Sequence, residues 1–203
     1  MFDGFARKLM DPALTKAGAW AAAQGFHANH VTLVGLALGV LAAGMIGAGA
    51  PTAWALAPLL ANRIADGLDG AIARARGKTD FGGFLDIVAD FAFYGLIPFA
   101  FALRDSANAL AASFLLLTFY INGASFLAFA ILAEKRGMKT AVRGDKSLYF
   151  SVGIMEGGET ILALTAMCLW PQLFAPFAWG FGALCVATAL ARVLLAGQVF
   201  GRR

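Results

Sequence analysis

The sequence contains six apolar stretches, each long enough to cross a lipid bilayer as a helix. They lie at residues 31–50, 52–75, 81–103, 108–134, 146–170 and 173–199. A transmembrane helix needs about 20 apolar residues. Hydrophobic residues make up 60% of the chain and charged residues 14%, whereas roughly a quarter of a soluble domain is charged. Because the surplus apolar side chains must face lipid, we predict an all-α integral membrane protein with six transmembrane helices.

Charges between the stretches predict the orientation of the bundle. The connections are short, as at residues 49–51 and 170–171, so neighbouring helices must run antiparallel. If the N-terminus is cytoplasmic, Arg104 is the only basic residue in the connections on the opposite side. The cytoplasmic side holds Arg7, Lys8, Lys16, Arg74, Arg76, Lys78, Lys135, Arg136, Lys139, Arg143, Lys146, Arg202 and Arg203. By the positive-inside rule, both termini are cytoplasmic, and the net charge of +4 needs no nucleic-acid partner.

Residues 1–30 are predicted to form an interfacial element before the first span. Apolar side chains such as Phe5 and Trp20 alternate with lysines and arginines, which is typical of an amphipathic helix lying among lipid headgroups. Pro12 leaves open whether there is one helix or a pair, and a disordered basic tail is the alternative. The remainder, residues 31–203, is predicted to be a single six-helix catalytic domain.

Ionisable residues inside the apolar stretches point to a function. They are Arg63, Asp66, Asp69, Asp86, Asp90, Glu156, Glu159 and Arg192. Such a group costs at least about 2.5–3.5 kcal/mol to insert into a bilayer, so membrane proteins keep them chiefly at functional sites.

The spacing of the four aspartates places them together. Asp66 and Asp69 are three residues apart, and Asp86 and Asp90 are four apart, so each pair shares one helix face. Asp66 precedes Arg74, at the cytoplasmic end of its span, by about 12 Å of helix. The second pair lies at a similar depth in the next, antiparallel helix. We therefore expect the four carboxylates to converge.

Convergent carboxylates predict a metal centre. Bare carboxylates so close together would repel one another and take up protons, and divalent cations relieve this repulsion. Ligand sets made only of oxygen suit Mg²⁺, Mn²⁺ or Ca²⁺. Two cations bridged by carboxylates form the usual clamp for phosphoryl transfer. We therefore predict two divalent cations, Mg²⁺ or Mn²⁺, shared by the four aspartates.

Small residues alternate with these acids. They are Gly67, Gly70, Ala71, Ala73, Gly82 and Gly83. They permit close helix packing, and they also leave room for a ligand that carries phosphate; both roles are compatible. Arg74, one turn after Gly70, would suit a pyrophosphate.

The complete run Asp66-x2-Asp69-Gly70-x2-Ala73-Arg74-x7-Gly82-x3-Asp86-x3-Asp90 resembles the signature of the CDP-alcohol phosphotransferases, also called CDP-alcohol phosphatidyltransferases. These are integral membrane enzymes of phospholipid synthesis. Residues 27–32 look like the family's Pro-Asn-x-x-Thr entry to the first span, with Ala28 in place of the proline. The interval between Arg74 and Gly82 is one residue shorter than the commonest family spacing, so we expect a small adjustment in that loop and no lost ligand.

The resemblance implies transfer of a phosphatidyl, or other substituted phosphate, group from a CDP-linked lipid such as CDP-diacylglycerol. The acceptor would be the hydroxyl of a small polar alcohol, and CMP would leave. The roles it implies are donor binding by Gly70, Ala73, Arg74 and Gly82, metal binding by Asp66, Asp69 and Asp86, and general base catalysis by Asp90, which is also a candidate metal ligand. Asn62 would either help to bind cytidine or only join helices. The family also implies a homodimer. We expect the protein to be integral to the cell (inner) membrane, with its active site open to the cytoplasm.

The acceptor site is predicted less sharply. Its candidates are Lys146, Ser151, Glu156, Glu159 and Arg192. The two glutamates could instead pair with Arg63 or Arg192, and the basic residues could be cytoplasmic anchors. The sequence leaves open the acceptor, the acyl or ether nature of the donor, and the preferred metal.

Two other functions would also use buried acids. A divalent-cation transporter would place carboxylates on several helices along a pore, whereas here four lie on one predicted hairpin. A metal-dependent lipid phosphatase would carry similar charges, and only CMP release that depends on an acceptor separates it from a transferase.

Overall fold

The computed structural model describes residues 2–138 and 157–201, and every regular element in these two ranges is helical. The α-helices are α1 (Phe2–Ala23), α2 (Ala28–Gly47), α3 (Thr52–Arg76), α4 (Asp80–Arg104), α5 (Ala109–Lys135), α6 (Gly157–Leu169) and α7 (Phe174–Phe200). Short 3₁₀ turns at Ser106–Asn108 and Pro171–Leu173 precede α5 and α7.

The helices confirm an all-α protein of membrane character. Within the two described ranges, four segments are long and apolar enough to cross a bilayer: Ala28–Gly47, Asp80–Arg104, Ser106–Lys135 and Pro171–Phe200. Helix α3 is as long as α4 but carries several charged residues, including Arg63, Asp66 and Asp69. Helix α6 is described only from Gly157, as a shorter apolar helix. The count of six spans and the cytoplasmic location of both termini remain predictions.

A tight turn joins the two helices that carry the aspartates. Helix α3 ends where Gly77 adopts a φ of 103°, a value that favours glycine. Two residues later Thr79 caps α4, because its Oγ1 accepts a hydrogen bond from the Gly82 backbone N–H at 3.0 Å. The shortened Arg74–Gly82 interval therefore falls in this turn, as the sequence predicted.

The largest apolar core cluster joins α2, α3 and α4 and reaches the acidic residues through Phe93. Ile46, Leu59, Phe93 and Ile97 are fully buried in it. Phe101 of α4 stacks on Phe174 of α7 with ring centroids 4.4 Å apart, which extends the same cluster towards the last helix. This packing holds together the helices that carry the aspartates.

Glycines on α2 allow it to cross α3 and α4 closely. A Cβ atom at Gly35 would lie 3.2 Å from the Ala65 Cβ on α3. A Cβ atom at Gly39 would lie 2.8 Å from the Phe93 ring on α4. A larger residue at either position would therefore crowd the neighbouring helix, and small residues are usual where membrane helices pack closely.

The N-terminal segment is one helix that continues through Pro12. It packs on α3 through Leu14, whose side chain would lie 2.8 Å from a Cβ at Gly67, and through Gly18, which meets Ala71. Trp20 is exposed. The structure thus contains one continuous helix in place of the pair or the disordered tail that the sequence left open.

We predict that Gly18→Ala weakens the contact between α1 and α3. The new Cβ would lie 2.8 Å from the Ala71 backbone carbonyl carbon, and overpacking of this kind costs about 1–3 kcal/mol. Thermal denaturation of the purified protein in detergent, followed by circular dichroism, should show a lower Tm.

The matched control is Gly44→Ala on α2, where a Cβ would meet nothing within 4 Å. This change should leave Tm unchanged or raise it, since alanine is the better helix former by up to about 1 kcal/mol. Equal Tm values for the two variants would contradict the close contact.

Candidate active site

Three of the predicted aspartates meet between α3 and α4. One carboxylate oxygen from each of Asp66, Asp69 and Asp86 lies within 4.8 Å of the other two. Asp69 is buried, with 4% of its surface exposed, whereas the other two are partly exposed. The acids therefore form a cluster at the wall of a small cleft, which Leu36, Ala89 and Asp90 also line.

A hydroxyl from α2 binds the most buried acid. Thr32 Oγ1 donates a hydrogen bond to Asp69 Oδ2 at 2.6 Å. Thr32 Oγ1 also lies 3.1 Å from the carbonyl oxygen of Ala28, one turn earlier in α2. Thr32 is itself buried. Because Thr32 is the last residue of the Pro-Asn-x-x-Thr-like segment, that segment supplies a direct partner to the acidic cluster.

The fourth aspartate is paired with an arginine. Arg63 Nη1 donates to Asp90 Oδ1 at 2.9 Å and lies 3.8 Å from Asp66 Oδ2. The guanidinium carbon also lies 4.3 Å from the centroid of the Phe93 ring. Asp90 is thus connected to the other acids through a cation of the protein itself.

Asn62 joins helices at this site. Its Nδ2 donates to the Gly35 carbonyl on α2 at 2.7 Å, and its Oδ1 accepts from Arg63 Nε at 2.6 Å. This agrees with the helix-joining role that the sequence offered as one of two possibilities for Asn62.

The small residues of the motif divide between two faces of α3. Gly67 and Ala71 lie under Leu14 and Gly18 of α1, so they serve packing. Gly70 has no such neighbour: the atom closest to a Cβ placed there would be Arg74 Nη1, at 3.3 Å. Gly70 and Ala73 are partly exposed and Arg74 is exposed, so this second face is accessible to a ligand.

Gly82, at the start of α4, meets the entry to α2. A Cβ at Gly82 would lie 2.9 Å from Thr79 Oγ1 and 3.2 Å from Asn29 Oδ1. A larger residue would push both polar groups aside. Asn29 and Thr32 both belong to the segment at residues 27–32. This segment therefore contacts Gly82 through Asn29 and Asp69 through Thr32.

Only part of the predicted acceptor site can be placed. Lys146, Ser151 and Glu156 lie outside the described residues. Glu159 stands in the first turn of α6 and is partly buried. Arg192 of α7 donates through Nη1 to Ser125 Oγ at 2.7 Å and to the side-chain and backbone oxygens of Asn122 at 2.9 and 3.0 Å. Among its contacts are therefore polar groups of α5.

The donor set fits a divalent hard cation. Three carboxylate oxygens within 4.8 Å of one another could share one ion after small side-chain movements, and Mg²⁺ and Mn²⁺ prefer hard oxygen ligands of this kind. The partial exposure of Asp66 and Asp86 leaves room for water or phosphate oxygens to complete the coordination sphere.

Sequence reasoning missed two contributors to this site. From the sequence alone, Arg63 is an intramembrane charge and a candidate partner of the two glutamates, but not a partner of Asp90; its position one turn before Asp66 is the available signal. Thr32 was recognised only as part of a helix entry. Nothing in the sequence shows that α2 brings its hydroxyl to Asp69, since this depends on how the helices cross.

We predict that Thr32→Val destabilises the protein in the absence of metal. The change removes the donor to a buried carboxylate, which costs about 1–3 kcal/mol. The Tm measured in EDTA should fall by several degrees, whereas Thr32→Ser should keep the wild-type value.

Thr118→Val provides the matched control for this change. Thr118 is equally buried, but its hydroxyl donates to the Leu115 carbonyl of its own helix, at 2.8 Å. Thr118→Val should lower Tm by less than Thr32→Val does. A Thr32→Val protein as stable as wild type would show that the hydrogen bond to Asp69 contributes nothing.

Comparison with known proteins identifies the arrangement. The sequence pattern of the CDP-alcohol phosphatidyltransferases matches residues 26–193, which include all four aspartates. The inner membrane protein YnjF of Escherichia coli (strain K12) is 49% identical over 173 residues, which cover 83% of this chain and 82% of YnjF.

A solved structure has the same fold. It is the crystal structure of Mycobacterium tuberculosis phosphatidylinositol phosphate synthase (PgsA1) with CDP-DAG bound. The TM-score is 0.68 and the sequence identity is 22%, and the match covers 91% of this chain and 93% of that chain. Since the family pattern spans most of the sequence and its acidic residues meet in the structure, the chain belongs to the CDP-alcohol phosphatidyltransferase family.

Proposed function

We propose that this protein transfers a phosphatidyl, or related substituted phosphate, group from a CDP-linked lipid to the hydroxyl of a small polar alcohol, releasing CMP. The observation that carries the proposal is the convergence of Asp66, Asp69 and Asp86 within 4.8 Å beside the open face of α3. These residues belong to the family motif within the matched region. The donor we propose is of the CDP-diacylglycerol type, the ligand named for the M. tuberculosis relative.

The donor would bind along the open face of α3 and the start of α4. Gly70 leaves the backbone accessible there, Ala73 adds little bulk, and Gly82 lets Asn29 come close to the start of α4. Arg74 lies over Gly70, where its guanidinium would pair with pyrophosphate oxygens. Asn62 is buried between α2 and α3, so we assign it to supporting this site from behind.

Asp66, Asp69 and Asp86 would hold the divalent cations, with Asp90 as a further candidate ligand. When bound, Mg²⁺ or Mn²⁺ would neutralise phosphate charge that builds up during transfer. Thr32 would keep the Asp69 carboxylate in place from α2 through its hydrogen bond of 2.6 Å.

Asp90 would act as the general base. It would accept the proton of the acceptor hydroxyl as that oxygen bonds to the phosphorus next to the lipid, and the bond from this phosphorus to the bridging oxygen would break to release CMP. Arg63 donates to Oδ1 of Asp90, so we assign the proton to Oδ2. The acceptor would be held by groups among Lys146, Ser151, Glu156, Glu159 and Arg192.

The location and orientation that we propose are supported by the distribution of basic residues and by the similarity to an inner membrane protein. We propose an enzyme of the inner membrane, with six spans, an interfacial α1, a catalytic domain at residues 31–203 and a site that opens to the cytoplasm. A homodimer is the assembly we expect. Nothing in the described ranges favours a cation transporter or a lipid phosphatase over the transferase.

The direct test is CMP release by the purified protein in lipid, with CDP-diacylglycerol and Mg²⁺ or Mn²⁺. The acceptor panel would contain glycerol, glycerol 3-phosphate, inositol, inositol phosphate, serine, ethanolamine and choline. Metal-dependent release stimulated by one acceptor would establish the reaction and name the product. Release that no acceptor stimulates, with phosphatidate as the lipid product, would favour a phosphatase instead.

Asp90→Asn should reduce the rate of CMP release by about 10²–10⁴-fold, because a positioned general base contributes an effect of this size. Binding of CDP to the purified variant, measured by calorimetry, should be largely retained. Turnover at the wild-type rate would rule out Asp90 as the base.

Arg74→Gln should weaken donor binding by about tenfold to a hundredfold, because hydrogen bonds between charged groups contribute about 1.5–3 kcal/mol. The KM for CDP-diacylglycerol should rise accordingly. Arg76→Gln is the matched control, since Arg76 is exposed in the same turn and donates to the Phe26 carbonyl at 3.0 Å. Equal KM values for the two variants would remove Arg74 from the pyrophosphate site.

A further inference from the structure

Arg63 is a cation built into the acidic cluster. Its Nη1 lies 2.9 Å from Asp90 Oδ1 and 3.8 Å from Asp66 Oδ2. It therefore stands between the one aspartate that we assign as base and one member of the triad that we assign to metal binding.

The guanidinium is held in this place from several directions. Its Nε donates to Asn62 Oδ1 at 2.6 Å, and Asn62 is itself anchored to Gly35 on α2. The Phe93 and Tyr94 rings lie 4.3 and 5.4 Å from its central carbon. With 15% of its side chain exposed, Arg63 lacks the freedom of a surface arginine.

Because of this placement, a cation would experience a different electrostatic field on the two sides of the cluster. An ion bound among Asp66, Asp69 and Asp86 would be attracted by three carboxylates. An ion on the side of Asp66 and Asp90 would lie next to a fixed positive charge, and Asp90 would already be engaged by Arg63. At separations of about 4–6 Å such repulsion is strong even with the screening typical of a protein surface.

We propose that Arg63 competes with one of the two divalent cations, so that the cluster has one tight site at the triad and one weaker site on the side of Asp66 and Asp90. This inference rests on the proposed function, because it takes the triad as the metal site of a transferase. Arg63 is then a positioning residue: it holds the Asp90 carboxylate apart from the tight site, where that carboxylate is available to the acceptor hydroxyl.

The test is direct titration of the purified full-length protein with Mn²⁺ in detergent, with free Mn²⁺ measured by electron paramagnetic resonance and no lipid substrate present. Wild type should bind ions in two classes at least about tenfold apart in affinity. Arg63→Gln should tighten the weaker class by at least about tenfold. Arg63→Lys retains the charge and should behave as wild type.

Arg104→Gln is the matched control for loss of one arginine. Arg104 ends α4 at the other end from the aspartates, and its Nη1 donates to the carbonyls of Ala50 and Ile46 at 2.6 and 3.3 Å. This variant should leave both Mn²⁺ affinities unchanged. Tighter binding in Arg63→Gln is also an effect that loss of folding would not produce.

Unchanged or weaker Mn²⁺ binding by a folded Arg63→Gln protein would overturn the inference. So would two ions of equal affinity in wild type, which requires no variant. CMP release measured in parallel separates the two claims: metal-dependent release with unaltered binding in Arg63→Gln would leave the transferase intact and refute the competition. Tightened binding without release for any acceptor would support the competition and count against the transferase.

Discussion

The need to keep four carboxylates together inside a largely apolar helical bundle governs the rest of this structure. Charges in a low-dielectric setting are tolerated only with partners, and the protein provides them from neighbouring helices. Thr32 reaches Asp69 from α2, and Arg63 reaches Asp90 from α3. The hydroxyl can reach its target because glycines on α2 let the helices cross closely. The cluster thus depends on helix packing as much as on its own acids.

Helix α3 presents different faces to α1, to α2 and α4, and to the outside. One face carries Gly67 and Ala71, which receive α1, and another carries the acids that turn towards α2 and α4. The face with Gly70 and Arg74 is left accessible. Because α3 contains several charged residues, its composition differs from that of an ordinary transmembrane helix. This division relates the small residues to two settings: Gly67 and Ala71 pack against α1, whereas Gly70 lies on the accessible face.

Much of the fold and part of the site could be predicted from the sequence, because both depend on local spacing. Apolar length located the helices, and separations of three and four residues put the aspartates on shared faces, so that Asp66, Asp69 and Asp86 meet as expected. Contacts between distant segments could not be read in this way. The hydrogen bond from Thr32 to Asp69 and the ring stacking that fixes Arg63 depend on crossing geometry. Predictions for Lys146, Ser151 and Glu156 concern residues outside the described ranges.

The contact between Gly18 and Ala71 links the N-terminal helix to the helix that carries Asp66 and Asp69. Ala71 lies two residues beyond Asp69 on α3, and the helix that presses on it bears the exposed Trp20. If α1 rests among the headgroups, its depth depends on how tightly the lipids pack. A shift in that depth would be passed as a mechanical load to the helix that holds the acids. The position of the acidic cluster would then depend on the lipid that surrounds α1.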